Sequence, residues 1–119
     1  MGYRSDVGMA FYAMQEDKVG VVKLWLRENL PFKDWDEDDF EETEDGYKFY
    51  VSHVKWYESF PGVQSFYLAR DKFVKIFCDI DPCAACEFVR IGEQDDDVEI
   101  EREGDHEFRL TVSKQICFD

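Results

Sequence analysis

Asp6-Val7-Gly8-Met9-Ala10-Phe11-Tyr12-Ala13-Met14 is the stretch that decides the fold. In a strand, successive side chains point to opposite faces. Val7, Met9, Phe11 and Ala13 then take one face, and Gly8, Ala10, Tyr12 and Met14 take the other. Both sets are largely apolar, so residues 6–14 predict a central strand covered on both faces.

Outward from this strand, residues 16–29 predict a helix. Glu16 and Asp17 suit the positive end of its dipole. Val19, Val22, Leu26 and Leu30 form one stripe, joined by Val21 and Trp25. Leu30-Pro31 ends it, because the residue before proline resists helical geometry. Residues 47–56, rich in aromatic and β-branched side chains, predict the clearest strand. Pro61-Gly62 marks a turn, after which Val63, Phe66, Tyr67, Arg70, Val74 and Phe77 follow helical spacing, giving a second helix over 63–72 or beyond.

Residues 78–83 read as a loop around Pro82, and residues 85–92 as a strand of continuous apolar character. After an acidic turn at 94–97, strands at 98–103 and 107–117 make a hairpin around Gly104-Asp105. The order β-α-β-α-β-β-β implies an α+β fold, a single mixed, mainly antiparallel sheet with two helices packed on it. The 119 residues fit one domain, 1–119, with an acidic loop at about 33–46.

Eleven Phe, six Tyr and three Trp provide for a substantial core. Against 14 Lys and Arg stand 28 Asp and Glu, a net charge of −14. That balance opposes direct contact with nucleic-acid phosphates and with anionic membranes, and favours basic protein partners. The sequence has no apolar run long enough for a transmembrane helix. Its opening residues lack the apolar core of a signal peptide, and Asp6 stands where a myristoylation motif requires Ser or Thr. A cytosolic setting is expected.

The acids are concentrated in two places. Nine of the twelve residues 34–45 are acidic: Asp34, Asp36, Glu37, Asp38, Asp39, Glu41, Glu42, Glu44 and Asp45. Trp35 and Phe40 within this run suit either interface anchors or staples that pin the loop to the core. Residues 93–107 hold a further nine: Glu93, Asp95, Asp96, Asp97, Glu99, Glu101, Glu103, Asp105 and Glu107. Glu99, Glu101 and Glu103 share one strand face at a spacing of about 6.8 Å, on the order of the phosphate repeat of a nucleic-acid strand. A charge run is also the ordinary solvated face of a protein, although packing like charges so densely costs stability. Asp36, Asp38 and Glu42 lack the loop pattern of an EF-hand.

Cys78, Cys83, Cys86 and Cys117 have the Cys-x4-Cys-x2-Cys spacing of plant-type iron–sulfur ligation. They also suit a zinc site completed by His53 or His106. The Asp79-Ile80-Asp81-Pro82 loop is neither glycine-rich nor electropositive, as a cluster loop requires. Cys86 leads into an apolar strand rather than a helix, unlike a redox Cys-x-x-Cys. Buried thiols with no cofactor are the simplest reading. The sequence has no phosphate loop, nucleophile elbow or His-Glu-x-x-His, so a binding protein is expected rather than an enzyme.

Met1-Gly2-Tyr3-Arg4-Ser5-Asp6-Val7 resembles the opening of small accessory proteins of tailed bacteriophages and prophages. Val54-Lys55-Trp56-Tyr57 with Phe60-Pro61-Gly62-Val63-Gln64, and Phe88-Val89-Arg90-Ile91-Gly92-Glu93 with Asp95-Asp96-Asp97-Val98-Glu99, look like the same group. The resemblance implies a phage origin and the bacterial cytoplasm as the setting, and it carries no catalytic residues. By analogy with other small acidic phage proteins it implies an inhibitor of a host defence or nucleic-acid-binding protein, anti-CRISPR-like or a nucleic-acid mimic. The contact residues expected are Asp34 through Glu42, and Asp95, Asp96, Asp97, Glu99, Glu101 and Glu103. The alternatives are a metalloprotein built on the four cysteines, and an accessory protein whose charge serves solubility alone.

Overall fold

A computed structural model describes residues 4–57, 59–79, 83–93 and 97–103 in full, and residues 110–112 and 116–118 as backbone. The chain is α+β. Five strands form one sheet: β1 (Ser5–Ala13), β2 (Phe40–Glu42), β3 (Gly46–Val54), β4 (Ala84–Gly92) and β5 (Val98–Glu103). Their spatial order is β2-β3-β1-β4-β5, and every neighbouring pair is antiparallel. The mixed sheet expected from sequence is therefore a purely antiparallel one. The first helical connection leads to the edge strand β2, from which β3 folds back beside β1; the second brings the chain to the other side of β1 as β4. Helix α1 (Val19–Asn29), entered through a 3-10 turn at Glu16–Lys18, links β1 to β2. Helix α2 (Pro61–Phe73) links β3 to β4 and continues as a π-helical turn, Val74–Asp79.

β1 is the central strand, as its two apolar faces require. Val7, Met9 and Phe11 join the main core with Phe49, Phe66, Phe73 and Phe88. Val22 and Leu26 of α1 and Val63, Phe66, Ala69 and Phe73 of α2 close that core from above. The rings meet edge-on or tilted, as aromatic quadrupoles prefer: Phe11 and Phe73 at 5.3 Å, Phe49 and Phe66 at 4.4 Å, Trp25 and Phe77 at 5.9 Å. The opposite face of the sheet buries Ala10, Tyr12 and Ala85.

Two short strands, β6 (Leu110–Val112) and β7 (Ile116–Phe118), pair with each other as a separate two-stranded sheet. Their backbone approaches β1 and β4. The single strand expected at 107–117 is thus two strands folded on one another. Among the described residues β5 pairs with β4 alone, and the Gly104-Asp105 turn lies outside those residues.

β2 falls within the acidic stretch that reads as a loop. Phe40 faces Phe49, Glu41 faces Lys48 and Glu42 faces Tyr47. At its far end β3 carries a bulge: Ser5 pairs with Val54 but Val7 with Val51. His53 sits there with φ of 56°, and its N–H donates to Asp6 Oδ1 at 2.9 Å. His53 thus lies within β3, as the strand expected at 47–56 implies, and at its bulge.

Candidate functional site: the two acidic edges

The sheet order sends the two acidic clusters to opposite edges. Four interstrand spacings separate β2 from β5, about 19 Å. They form two surfaces, and their chemistry differs.

The β5 row is already engaged by the chain itself. Glu99, Glu101 and Glu103 pair across to Arg90, Phe88 and Cys86, so they share the helix-bearing face. Arg90 clamps the start of the strand. Its Nη1 and Nη2 donate to Asp97 Oδ2 and Oδ1 at 3.1 and 2.6 Å, its Nε donates to Glu99 Oε1 at 3.1 Å, and its Nη1 reaches Ser5 Oγ at 3.0 Å. Arg70 of α2 ion-pairs with Glu101, its guanidinium 5.2 Å from the centroid of the Tyr67 ring. Fork-shaped, charge-assisted bonds of this kind are the strong ones. Asp97, Glu99 and Glu101 thus brace β5 against α2 and β4, so the row presents Glu103 but not three free carboxylates. Asp95 and Asp96 lie outside the described residues.

On the opposite face of β4, the buried Glu87 accepts a hydrogen bond from Tyr12 Oη at 2.9 Å and faces Arg102 Nε at 3.6 Å. A buried carboxylate needs such partners. Nothing local to Glu87 marks this group, because Tyr12 is 75 residues away.

The 34–45 stretch divides in two. Glu41 pairs with Lys48 at 3.2 Å. Glu42 receives Lys23 Nζ at 2.8 Å and Arg27 Nη2 at 3.4 Å from α1, and Tyr47 Oη at 2.9 Å. Those bonds, from Lys23 first and then Tyr47 and Arg27, hold its carboxyl down at about 2. Glu41 and Glu42 therefore tie β2 to its neighbours. Asp34, Asp36, Glu37, Asp38 and Asp39 form no ion pair among the described residues. Asp34, Asp36, Glu37 and Asp38 are exposed and Asp39 half-buried, on a 3-10 turn at Glu37–Asp39 and the residues leading to it. Partial burial and the charges of Asp36 and Asp38 raise the Asp39 carboxyl above its ordinary value.

The two aromatics in this stretch are half-buried and pack against the core. Trp35 stacks on Trp56 at 5.4 Å and meets Phe49 at 5.3 Å. Phe40 meets Phe32 at 4.5 Å and Phe49 at 5.0 Å. They are the staples that hold the acidic turn in one place.

Cys78, Cys83 and Cys86 are buried thiols. Cys78 Sγ donates to the Ala84 carbonyl at 3.2 Å. Burial, then the charges of Glu103 and Asp79, push the Cys78 thiol up to about 12; burial and the neighbouring Cys78 do the same to Cys86. A metal ligand must be a thiolate, and this environment works against ionisation. Among the described residues no three His, Cys, Asp or Glu side chains come together as a metal-binding group. The side chains of Cys117 and His106 lie outside the described residues. No helix among those residues is long and apolar enough to cross a membrane.

Comparison with protein-family models, with curated proteins and with solved structures finds no match.

Proposed function

We propose that this chain is a binding protein that engages a basic protein surface of the nucleic-acid-binding class through Asp34, Asp36, Glu37, Asp38 and Asp39. One observation carries the reading. These five carboxylates are held together on a turn stapled to the core, and among the described residues none of them forms an ion pair. Like charges kept close at a cost in stability are relieved by a partner's Lys and Arg. Glu41, Glu42, Asp97, Glu99 and Glu101 serve the fold instead, since they are paired internally. The resemblance to phage accessory proteins supports a host defence or nucleic-acid-binding protein as the target, in the bacterial cytoplasm, with no catalytic step.

Affinity capture from bacterial lysate with mass spectrometry tests this. The wild type retains basic proteins that elute as salt rises. The combined Asp34→Asn, Asp36→Asn, Glu37→Gln, Asp38→Asn and Asp39→Asn variant loses them, whereas Glu103→Gln keeps them. Equal recovery by wild type and the five-fold variant, with both shown folded by circular dichroism, refutes the reading.

A further inference from the structure

β3 is nine residues long and β2 only three. Their pairing stops at Phe40 with Phe49, where the chain leaves the edge through the 3-10 turn. Among the described residues, no strand pairs with the outer edge of β3 over residues 50–54. The direction of its backbone groups follows from two hydrogen bonds. Ala13 N–H donates to the Asp45 carbonyl on the β1 side at 2.8 Å, and Thr43 N–H to the Gly46 carbonyl on the outer side at 2.9 Å. Alternation along an antiparallel strand then aims the Ser52 N–H and carbonyl outward. The bulge at His53 ends this edge.

A groove of about 620 Å³ lies where a further strand would run. Tyr50, Val51, Ser52 and Val54 of β3 line it together with Asp34, Trp35, Asp36 and Asp39. Lys33 is the one cation in its wall. Natural sheets guard their edges with charge or proline. The outer edge of β5 is guarded in that way by Glu99, Glu101, Arg102 and Glu103, but residues 50–54, Tyr-Val-Ser-His-Val, hold no Pro, Lys, Arg, Asp or Glu.

We propose that this edge docks an extended, lysine- or arginine-bearing segment of the partner protein, which adds to the sheet as a strand in line with β2. The inference rests on the reading of the acidic turn and specifies how the partner is held. The open backbone groups select an extended chain over a helix. The three carboxylates of the wall select a basic sequence over an acidic one. About three residues, some 10 Å of strand, fill the edge up to the bulge.

The test uses the full chain and three fluorescent eight-residue peptides. The first alternates lysine and valine, the second is the same with every backbone amide N-methylated, and the third has glutamate in place of lysine. Fluorescence anisotropy is expected to show binding of the first and a loss of about tenfold or more for the other two, tenfold being a small free-energy change. Ser52→Pro, which blocks the outward N–H, is expected to weaken the first peptide about tenfold. On the ¹⁵N-labelled wild type, the Ser52 amide becomes protected from exchange when the first peptide is bound. Equal binding of the first and second peptides overturns strand addition, and leaves charge recognition to be judged by the five-fold acidic variant. So does absence of binding by the first peptide while that variant still loses its lysate partners. The N-methylated peptide keeps the test valid if Ser52→Pro does not fold.

Discussion

Gly46 lies so close to β1 that a Cβ added to it would fall inside the radius of the Phe11 carbonyl oxygen, with the Tyr12 Cα close behind. Both are backbone of the central strand and neither can turn aside. Gly46→Ala is expected to cost about 3 kcal/mol by overpacking, measured by urea unfolding; an unchanged midpoint would contradict this geometry. A few residues away, Glu42 sets part of the acid response. Its carboxyl is lowered from an ordinary 4.5 to about 2 in the fold. A depressed acid stabilises the folded state above its unfolded value and loses that contribution as pH falls through its folded value. Glu42→Gln should therefore be less stable than wild type near neutral pH, with the difference closing between about pH 4.5 and pH 2. Thermal midpoints across that range check it, and a difference independent of pH would show that the pairing with Lys23 and Tyr47 contributes nothing. The identities of these residues were readable in the sequence, but their roles were not. Glu42 looks like any other acid of its run until α1 folds back and places Lys23 and Arg27 beside it.

The elements with strong internal periodicity were the legible ones. β1, α1, β3, α2 and β4 lie within a few residues of where apolar spacing, Pro31 and Pro61 place them. Elements that exist only through a distant partner were not. Phe40, Glu41 and Glu42 are a strand because Lys48 and its neighbours pair with them, and nothing local marks them as one. The far end of α2 was equally hidden. Its apolar spacing runs on to Phe77, but the hydrogen bonds widen into a π-helical turn that carries Cys78 into the core. This packing has a chemical result. With Cys78 and Cys86 pushed up to about 12, these two thiols should react at least about a hundredfold more slowly than an exposed cysteine. Thiol labelling at mildly alkaline pH, followed by peptide mapping, reads this out. Rapid labelling of Cys86 in the folded protein would show that the strand does not shield it.

At the scale of the whole molecule, a count of charges is a poor guide to where the chain can act. Net charge and clustering were visible in the sequence, yet both clusters looked alike. Only the sheet order separates them, and only the positions of Arg70, Arg90, Lys23 and Lys48 distinguish acids that hold the fold together from acids left over. The candidate site was legible as the 34–39 half of one cluster. The open edge of β3 was not, because it depends on how soon β2 stops.

The place of β1 also has a consequence for synthesis. It leaves the ribosome ahead of every other element described here, yet its two neighbours in the sheet are β3 and β4, and β4 follows only after both helices have been made. Until then an apolar ribbon must wait with at least one edge open. The acidic segment between α1 and β3 emerges during that interval, so the nascent chain carries its own repulsion against premature association while the centre of the sheet is incomplete.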